Sequence, residues 1–202
     1  KRLYEDGLAY RGQKLINWCP GCGTSVSDLE VIGKPTEGKL WSVRYHLLPE
    51  GADAAAAPLP DETITVATTR PETILGDTAV AVHPEDERYA ALVGRLVRIP
   101  FVERDVPVIA DEFVEREFGT GAVKVTPAHD HTDFETGVRH GLPRIDVMTD
   151  EALMNANAGP YEGLSREDCR TRILEDLAAV GDLVETKDHE MAIGRCQRSD
   201  DI

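Results

Sequence analysis

An α+β fold, strand-rich and barrel-like with helices at its edges, is predicted by three observations in these 202 residues. Short β-branched runs bounded by Gly, Pro or Asp recur through the middle of the chain. Helical patterns with capping signals are few and sit beside the strands. Aromatics make up only 5% against 41% apolar residues, so the core must rest on Val, Leu, Ile and Ala. The density of short strands points to a closed or nearly closed barrel.

The elements follow in order. Lys1–Tyr10 carries Leu3, Tyr4 and Leu8 at roughly helical spacing and reads as the end of a helix. Leu15–Trp18 leads into Cys19-Pro20-Gly21-Cys22-Gly23. Val26–Ile32 and Leu40–Leu47 read as strands joined by a turn at Gly33-Lys34-Pro35. Leu48–Pro60, rich in Ala and Pro without periodicity, reads as a loop. Strands are expected at Thr63–Thr68, Ala79–Val82, Leu96–Ile99, Val106–Ala110 and Ala122–Thr126. Short helices fit Asp86–Leu92 and Thr132–His140; the second has Asp130 or Thr132 as N-cap, acidic Asp133 and Glu135 in its first turn, and Gly141 past its end. Ser165–Val180 is an amphipathic helix with Ser165 and Asp168 spaced as a capping box and Gly181 as its stop. Leu183–Thr186 and Met191–Ile193 follow as strands.

Net charge is −15, which argues against a broad non-specific nucleic-acid binder but allows a local contact with one RNA end. No run of eighteen apolar residues occurs, and the charged N-terminal stretch is no signal peptide. The chain begins without Met and ends at Asp200-Asp201-Ile202, and reads as a fragment excised from a larger cytoplasmic protein, a monomer with no membrane partner.

Cys19-Pro-Gly-Cys22 places two thiols on one tight turn, as a zinc knuckle does. The natural partner is Cys196-Gln-Arg-Ser199, where a Ser stands at the fourth ligand position. Three thiolates are thus available for a structural zinc, with His189, water or nothing as the fourth ligand, or the ribbon is free of metal. Cys169 lies mid-helix and reads as core. The two chain ends, 1–47 with 187–202, would form a zinc-ribbon-like stalk, and 48–186 the main body.

Two polar segments interrupt the apolar strands. Thr68-Thr69-Arg70-Pro71-Glu72-Thr73 follows a strand. Phe118-Gly119-Thr120-Gly121 turns into a strand on which Lys124 and Thr126 share one face, and Ala128-His129-Asp130-His131-Thr132-Asp133 leads into a helix. Polar groups this dense suggest a pocket. Taken singly, Asp130 and Asp133 could be helix caps, Gly119-x-Gly121 a plain turn and Arg70 a surface ion-pair member.

Taken together, these segments resemble the editing (CP1, connective-peptide) domain of valyl-tRNA synthetases, as do Gly76–Tyr89, Asn17-Trp-Cys-Pro-x-Cys-Gly and Ser27-Asp-Leu-Glu-Val31. The resemblance covers almost the whole chain and departs from the family pattern at Ser199. It implies hydrolysis of threonine mischarged onto tRNA(Val), with the tRNA 3′ end and the rest of the parent enzyme as partners and no cofactor needed for editing; the synthetic-site segments of such enzymes, His-x-Gly-His and Lys-Met-Ser-Lys-Ser, are absent, so neither ATP use nor aminoacylation is expected of this chain. An apolar pocket rejects an isostere carrying an extra hydroxyl only weakly, about a hundredfold, a value already known for this enzyme class rather than derived from this chain. A second site that hydrogen-bonds the hydroxyl supplies the rest.

The resemblance further implies that Asp133 binds the α-ammonium and that Asp130, Lys124 and Thr126 surround the threonine hydroxyl. Thr68, Thr69, Arg70, Phe118, Gly119 and Thr120 would hold the terminal adenosine. His129 is a candidate at the same site or a structural hydrogen-bonding residue. A positioned water would attack the ester. Two alternatives come from other classes. His129-x-His131-x-Asp133 matches a metal-hydrolase signature, although Phe134 stands where the next His is expected. The chain could also be an inert tRNA-docking module, or edit for a sister enzyme.

Overall fold

A computed structural model describes residues 1–51 and 56–202. Nine strands are named among them: β1 (Asn17–Cys19), β2 (Thr24–Val26), β3 (Val31–Leu47), β4 (Thr63–Thr68), β5 (Ala79–Val82), β6 (Leu96–Arg98), β7 (Asp105–Ala110), β8 (Ala122–Val125) and β9 (Leu183–Cys196). The α-helices are α1 (Arg2–Glu5), α2 (His131–His140) and α3 (Arg166–Val180). β1 and β2 form a separate hairpin, and the other seven strands form one sheet in the order β4-β3-β6-β7-β5-β8 with β9 on β3. The α+β class holds, but the barrel does not. β4 and β8, at the two ends of the order, approach each other without a ladder between them among the described residues, so the sheet stays open.

The end of the strand expected at Val26–Ile32 and the whole of that expected at Leu40–Leu47 are joined in one long strand, β3. Gly33-Lys34-Pro35 is not a turn; it continues β3, with Pro35 opposite Ala192 of β9. A proline lacks the donor for a second ladder. Along Val31–Leu40, β3 is paired with β9 alone, so the missing N–H falls on an unpaired edge. The two strands expected at Leu183–Thr186 and Met191–Ile193 are likewise one strand, which runs unbroken past 186–187 with a single register shift opposite Ser42 and Val43. The helix expected over Asp86–Leu92 is reduced to a 3-10 turn at Ala90–Leu92. Asp86 accepts from the backbone N–H and guanidinium of Arg88, a local alternative that competes with helix formation. The loop expected over Leu48–Pro60 lies partly outside the described residues.

Both longer helices start and stop where their caps predict. Asp130 accepts from the N–H groups of Thr132 and Asp133, and Ser165 from that of Asp168. Gly141 and Gly181 end them in the left-handed conformation.

The main core lies between one face of the sheet and α3. Tyr45, Leu47, Ile64, Val66, Val80 and Val97 meet Cys169, Ile173 and Leu177 there. β5 is buried on both faces: Val80 and Val82 enter this core, while Ala79 and Ala81 join a smaller one with Val114 and Val125. Such burial of both faces explains its unbroken apolar wording.

Between the core strands and α3 lies Glu72, 1% exposed, with both oxygens held by Arg170 at 2.8 and 2.7 Å. Removing one partner of a buried pair strands the other. Arg170→Ala is therefore expected to lower stability by about 2–3 kcal/mol, less than for a fully enclosed pair because Arg170 is 36% exposed. Urea unfolding would show it; a loss too small to resolve would mean that Glu72 finds compensation from Arg70, whose Nε stands 3.7 Å away.

Candidate functional site

β8 ends at Val125, and the chain then crosses Thr126–Asp130 into α2. Asp133, in the first turn, turns its carboxylate back to accept the N–H of Thr126 at 2.8 Å, so helix and strand end are tied at this point. Lys124 and Thr126 project from the same strand side, and the Lys124 ammonium donates to the Thr126 hydroxyl. Both also reach Asp77: Thr126 Oγ1 donates to Oδ1 at 2.5 Å, and Lys124 Nζ lies 3.2 Å from the same oxygen. Tyr45 donates its hydroxyl to Oδ2 at 2.7 Å. Asp77 is wholly buried, and Lys124 and Asp133 are only 8% and 7% exposed.

Burial pushes the Asp133 carboxyl up to about 6, against the pull of Lys124 and the Thr126 N–H. A carboxyl whose pKa is higher folded than unfolded favours the fold below its ordinary 3.8 and ceases to as pH rises through about 6. At neutral pH it is ionised, which works against the fold. Asp77 is also pushed up by burial, opposed by Lys124, Thr126 and Tyr45.

The two polar segments meet. Arg70, half-exposed beyond the end of β4, donates to the His129 carbonyl at 2.8 Å. Thr68 is buried and accepts the Arg70 N–H at 3.0 Å, while Thr69 is partly exposed beside it. The Phe118–Gly121 turn packs on β4 at Ala67, which lies 2.9 Å from where a Gly119 side chain would begin. Gly121 has φ +77°, and a Cβ there would come within 2.4 Å of Arg88 and 2.8 Å of the Arg116 carbonyl, so no other residue fits without a shift. Thr120 binds its own turn through Ala122, and its carbonyl accepts the Tyr89 hydroxyl.

Several expected partners take other places. Asp130 is exposed and caps α2; the carboxylate that joins Lys124 and Thr126 is Asp77. His129 Nε2 accepts the Val147 N–H at 3.0 Å. Burial first, then Arg70 and Lys124, lowers its pKa to about 4, so the ring is neutral at pH 7. His131 is exposed. Among the described residues, His129, His131 and Asp133 do not converge as metal ligands. Phe118 is half-exposed, with its ring edge-on to His189 at 5.9 Å. Two surface hollows, one lined by His46, Arg98, Phe101 and Asp182 and the other by Glu37, Asp188 and His189, include none of the Lys124–Asp133 cluster.

Asp77 and Glu72 were not singled out by pattern. Asp77 precedes a strand, where an acidic residue looks like a turn former, and Glu72 lies in a short 3-10 segment (Pro71–Gly76). Only their burial marks them.

At the chain ends, Cys19, Cys22 and Cys196 bring their sulfurs within 4.8 Å of one another. Cys22 and Cys196 are 3.9 Å apart, close to the ~3.8 Å expected between two sulfurs of a tetrahedral zinc with ~2.3 Å bonds. Ser199 Oγ lies 3.1 Å from Cys19 Sγ. His189 is remote from this group, paired with Gly38 far along the ladder, and is not its fourth member. The N–H groups of Ser199 and Arg198 hold the Cys196 thiol down to about 6. The three thiols thus fit a thiophilic cation on three corners, with a hydroxyl, a poor ligand, beside the fourth.

A family profile described as "Leucyl-tRNA synthetase, editing domain" matches residues 85–177. Valine–tRNA ligases of Syntrophotalea carbinolica and Carboxydothermus hydrogenoformans are 52% and 53% identical over 97% and 100% of this chain. The chain spans only 21% and 22% of those two relatives. Among solved structures, the CP1 domain GlLeuRS-CP1 aligns with TM-score 0.55 at 15% identity, over 74% of this chain and all of that one. A leucyl-tRNA synthetase of Agrobacterium radiobacter K84, solved as a ternary complex with tRNA and LeuAMS, aligns with TM-score 0.54 at 23% identity, over 84% of this chain and 24% of its own. At these identities the structures speak for the fold alone. The profile and these relatives place the chain among the editing domains of the aminoacyl-tRNA synthetases. Within that class its sequence belongs with the valine–tRNA ligases, as their editing domain. No helix among the described residues is long and apolar enough to cross a membrane.

Proposed function

We propose that this chain hydrolyses the ester of threonine mischarged onto tRNA(Val), in the cytoplasm and as part of a longer synthetase. The observation that carries this reading is the enclosed Lys124–Thr126–Asp133 cluster, with a positive and a negative group a few residues apart at a strand–helix junction. Asp133 binds the α-ammonium, which a carboxylate does best when both are shielded from water. Lys124 and Thr126 take the side-chain hydroxyl. Thr68, Thr69, Arg70, Phe118, Gly119 and Thr120 receive the terminal adenosine, with the exposed Phe118 ring offering an apolar face. Asp130 supports this end of the site by capping α2. His129 positions the loop through Val147 rather than acting as a base, because Nε2 is already occupied. A water held near the ester carbonyl is the nucleophile, and positioning supplies the rate.

The test is deacylation of threonyl-tRNA(Val) against valyl-tRNA(Val), by this chain and by a full-length valine–tRNA ligase that carries it. Rapid loss of threonine alone supports the reading. Equal loss of both esters, or none in either protein, removes it; activity only in the longer protein assigns tRNA placement to the regions outside this chain. Activity that disappears with chelator and returns with metal would instead favour a metal-dependent hydrolase.

For the chain ends we propose a structural zinc on Cys19, Cys22 and Cys196, supported by the spacing of their sulfurs. Stoichiometric zinc after dialysis is the expected result of metal analysis, and a metal-free folded protein would refute it.

A further inference from the structure

Asp77 has no exposed surface, and three donors converge on its two oxygens: the Tyr45 hydroxyl, the Thr126 hydroxyl and the Lys124 ammonium. That is the hydrogen-bond environment of an acceptor-only carboxylate. Its consequence for Thr126 follows from counting. A threonine hydroxyl has one proton and two lone pairs. The proton goes to Asp77, and one lone pair takes an N–H of Lys124. One lone pair is left. Lys124 has three N–H bonds; one points to Asp77, one to Thr126, and one is left.

We propose that Asp77 is the positioning residue that makes this site selective for a β-hydroxy aminoacyl group, because it holds Thr126 as an acceptor beside a free donor of Lys124. This rests on the editing function proposed above. A substrate hydroxyl is donor and acceptor at once and satisfies both free valences. A methyl group in its place, as in valine, satisfies neither and leaves both enclosed without a partner. Serine carries the same hydroxyl and is accepted as threonine is. Were Asp77 unable to take the Thr126 proton, that hydroxyl could rotate and the donor–acceptor pair would no longer be set.

The residue after Asp77 also carries a buried hydroxyl. Thr78 Oγ1 is buried and has no partner among the described residues. Thr78 immediately precedes β5, whose Val80 pairs with Lys124. Buried hydroxyls are rarely left unpaired.

The probes are 2′-amino-2′-deoxyadenosine joined by an amide to L-threonine or to L-valine, which cannot be hydrolysed as esters are. Binding to this chain is measured by calorimetry, with thermal unfolding as a check on each variant. The wild-type chain is expected to prefer the threonyl probe by about tenfold or more, equivalent to one lost hydrogen-bond pair. In Asp77→Leu, which offers Thr126 no acceptor, the preference falls to about twofold through weaker threonyl binding, with valyl binding unchanged. Thr126→Val gives the same result, and the double variant is no worse than either single one, because the two act through one contact. A wild-type preference retained in either single variant overturns the proposal, as do losses that add in the double. If Asp77→Leu does not fold, Thr126→Val decides alone. A wild-type chain that binds the two probes equally, or neither, overturns the proposal together with the function beneath it, an outcome distinct from a selective wild type with an equally selective variant.

Discussion

Asp133→Ala is expected to reduce threonine release by about a hundredfold or more, the range of a charge-assisted hydrogen bond lost from an enclosed site. Two effects add there. The α-ammonium loses its counter-charge, and the Thr126 N–H, 2.8 Å from the carboxylate, loses its acceptor. Asp133→Asn separates them, since the amide oxygen still accepts from Thr126 but carries no charge. The pH profile separates them again. Burial raises the Asp133 pKa to about 6, so the wild-type rate should fall by about tenfold per pH unit below that point as the carboxylate is protonated. His129, lowered to about 4 by the same burial, stays neutral across this window and does not contribute. Asp133→Asn should be slow and flat from pH 5 to 7. A variant that keeps the wild-type acid limb would show that another group titrates, and the ammonium-binding role would be lost with it.

Lys124→Met should lower stability by about 3–5 kcal/mol, the penalty for leaving a buried charge without its partner. Asp77 is that charge, and the ion pair it forms with Lys124 is shielded on both sides. The loss depends on pH in a direction that follows from Asp77 itself. Burial already pushes its carboxyl up, and without Lys124 the push has less to oppose it. The neutral acid favours the fold at low pH and that favour disappears as pH rises. Lys124→Met should therefore be less destabilised at pH 5 than at pH 8. Adding Asp77→Asn removes the stranded charge and should recover much of the loss. Urea unfolding of the single and double variants at both pH values tests this. A small loss, or a double variant no better than the single, would mean that Tyr45 and Thr126 alone suffice for Asp77.

The sequence by itself determined what local chemistry determines. Asp130 and Ser165 cap helices because a short side chain can reach an N–H two or three residues on, and Gly141 and Gly181 end them because a missing Cβ opens the left-handed region. The β-branched runs of β4, β5, β7 and β8 were readable within a residue or so for the same reason. The joint wording of the Thr68–Thr73 and Phe118–Phe134 segments was enough to reach the editing-domain class.

Other features depended on what lies across space. Pro35 reads as a break, yet an unpaired edge lets it continue β3. Whether β4 and β8 close the barrel is decided by long-range curvature of the sheet, which no short window encodes. His189 was a conceivable zinc ligand by residue type, but the β3–β9 register carries it to Phe118 instead. Asp130 and Asp77 are chemically the same group. One is at a helix end in water and the other is enclosed against Lys124, Thr126 and Tyr45. Burial separates their roles, and burial is a property of the packed fold, set by residues up to 49 positions away along the chain.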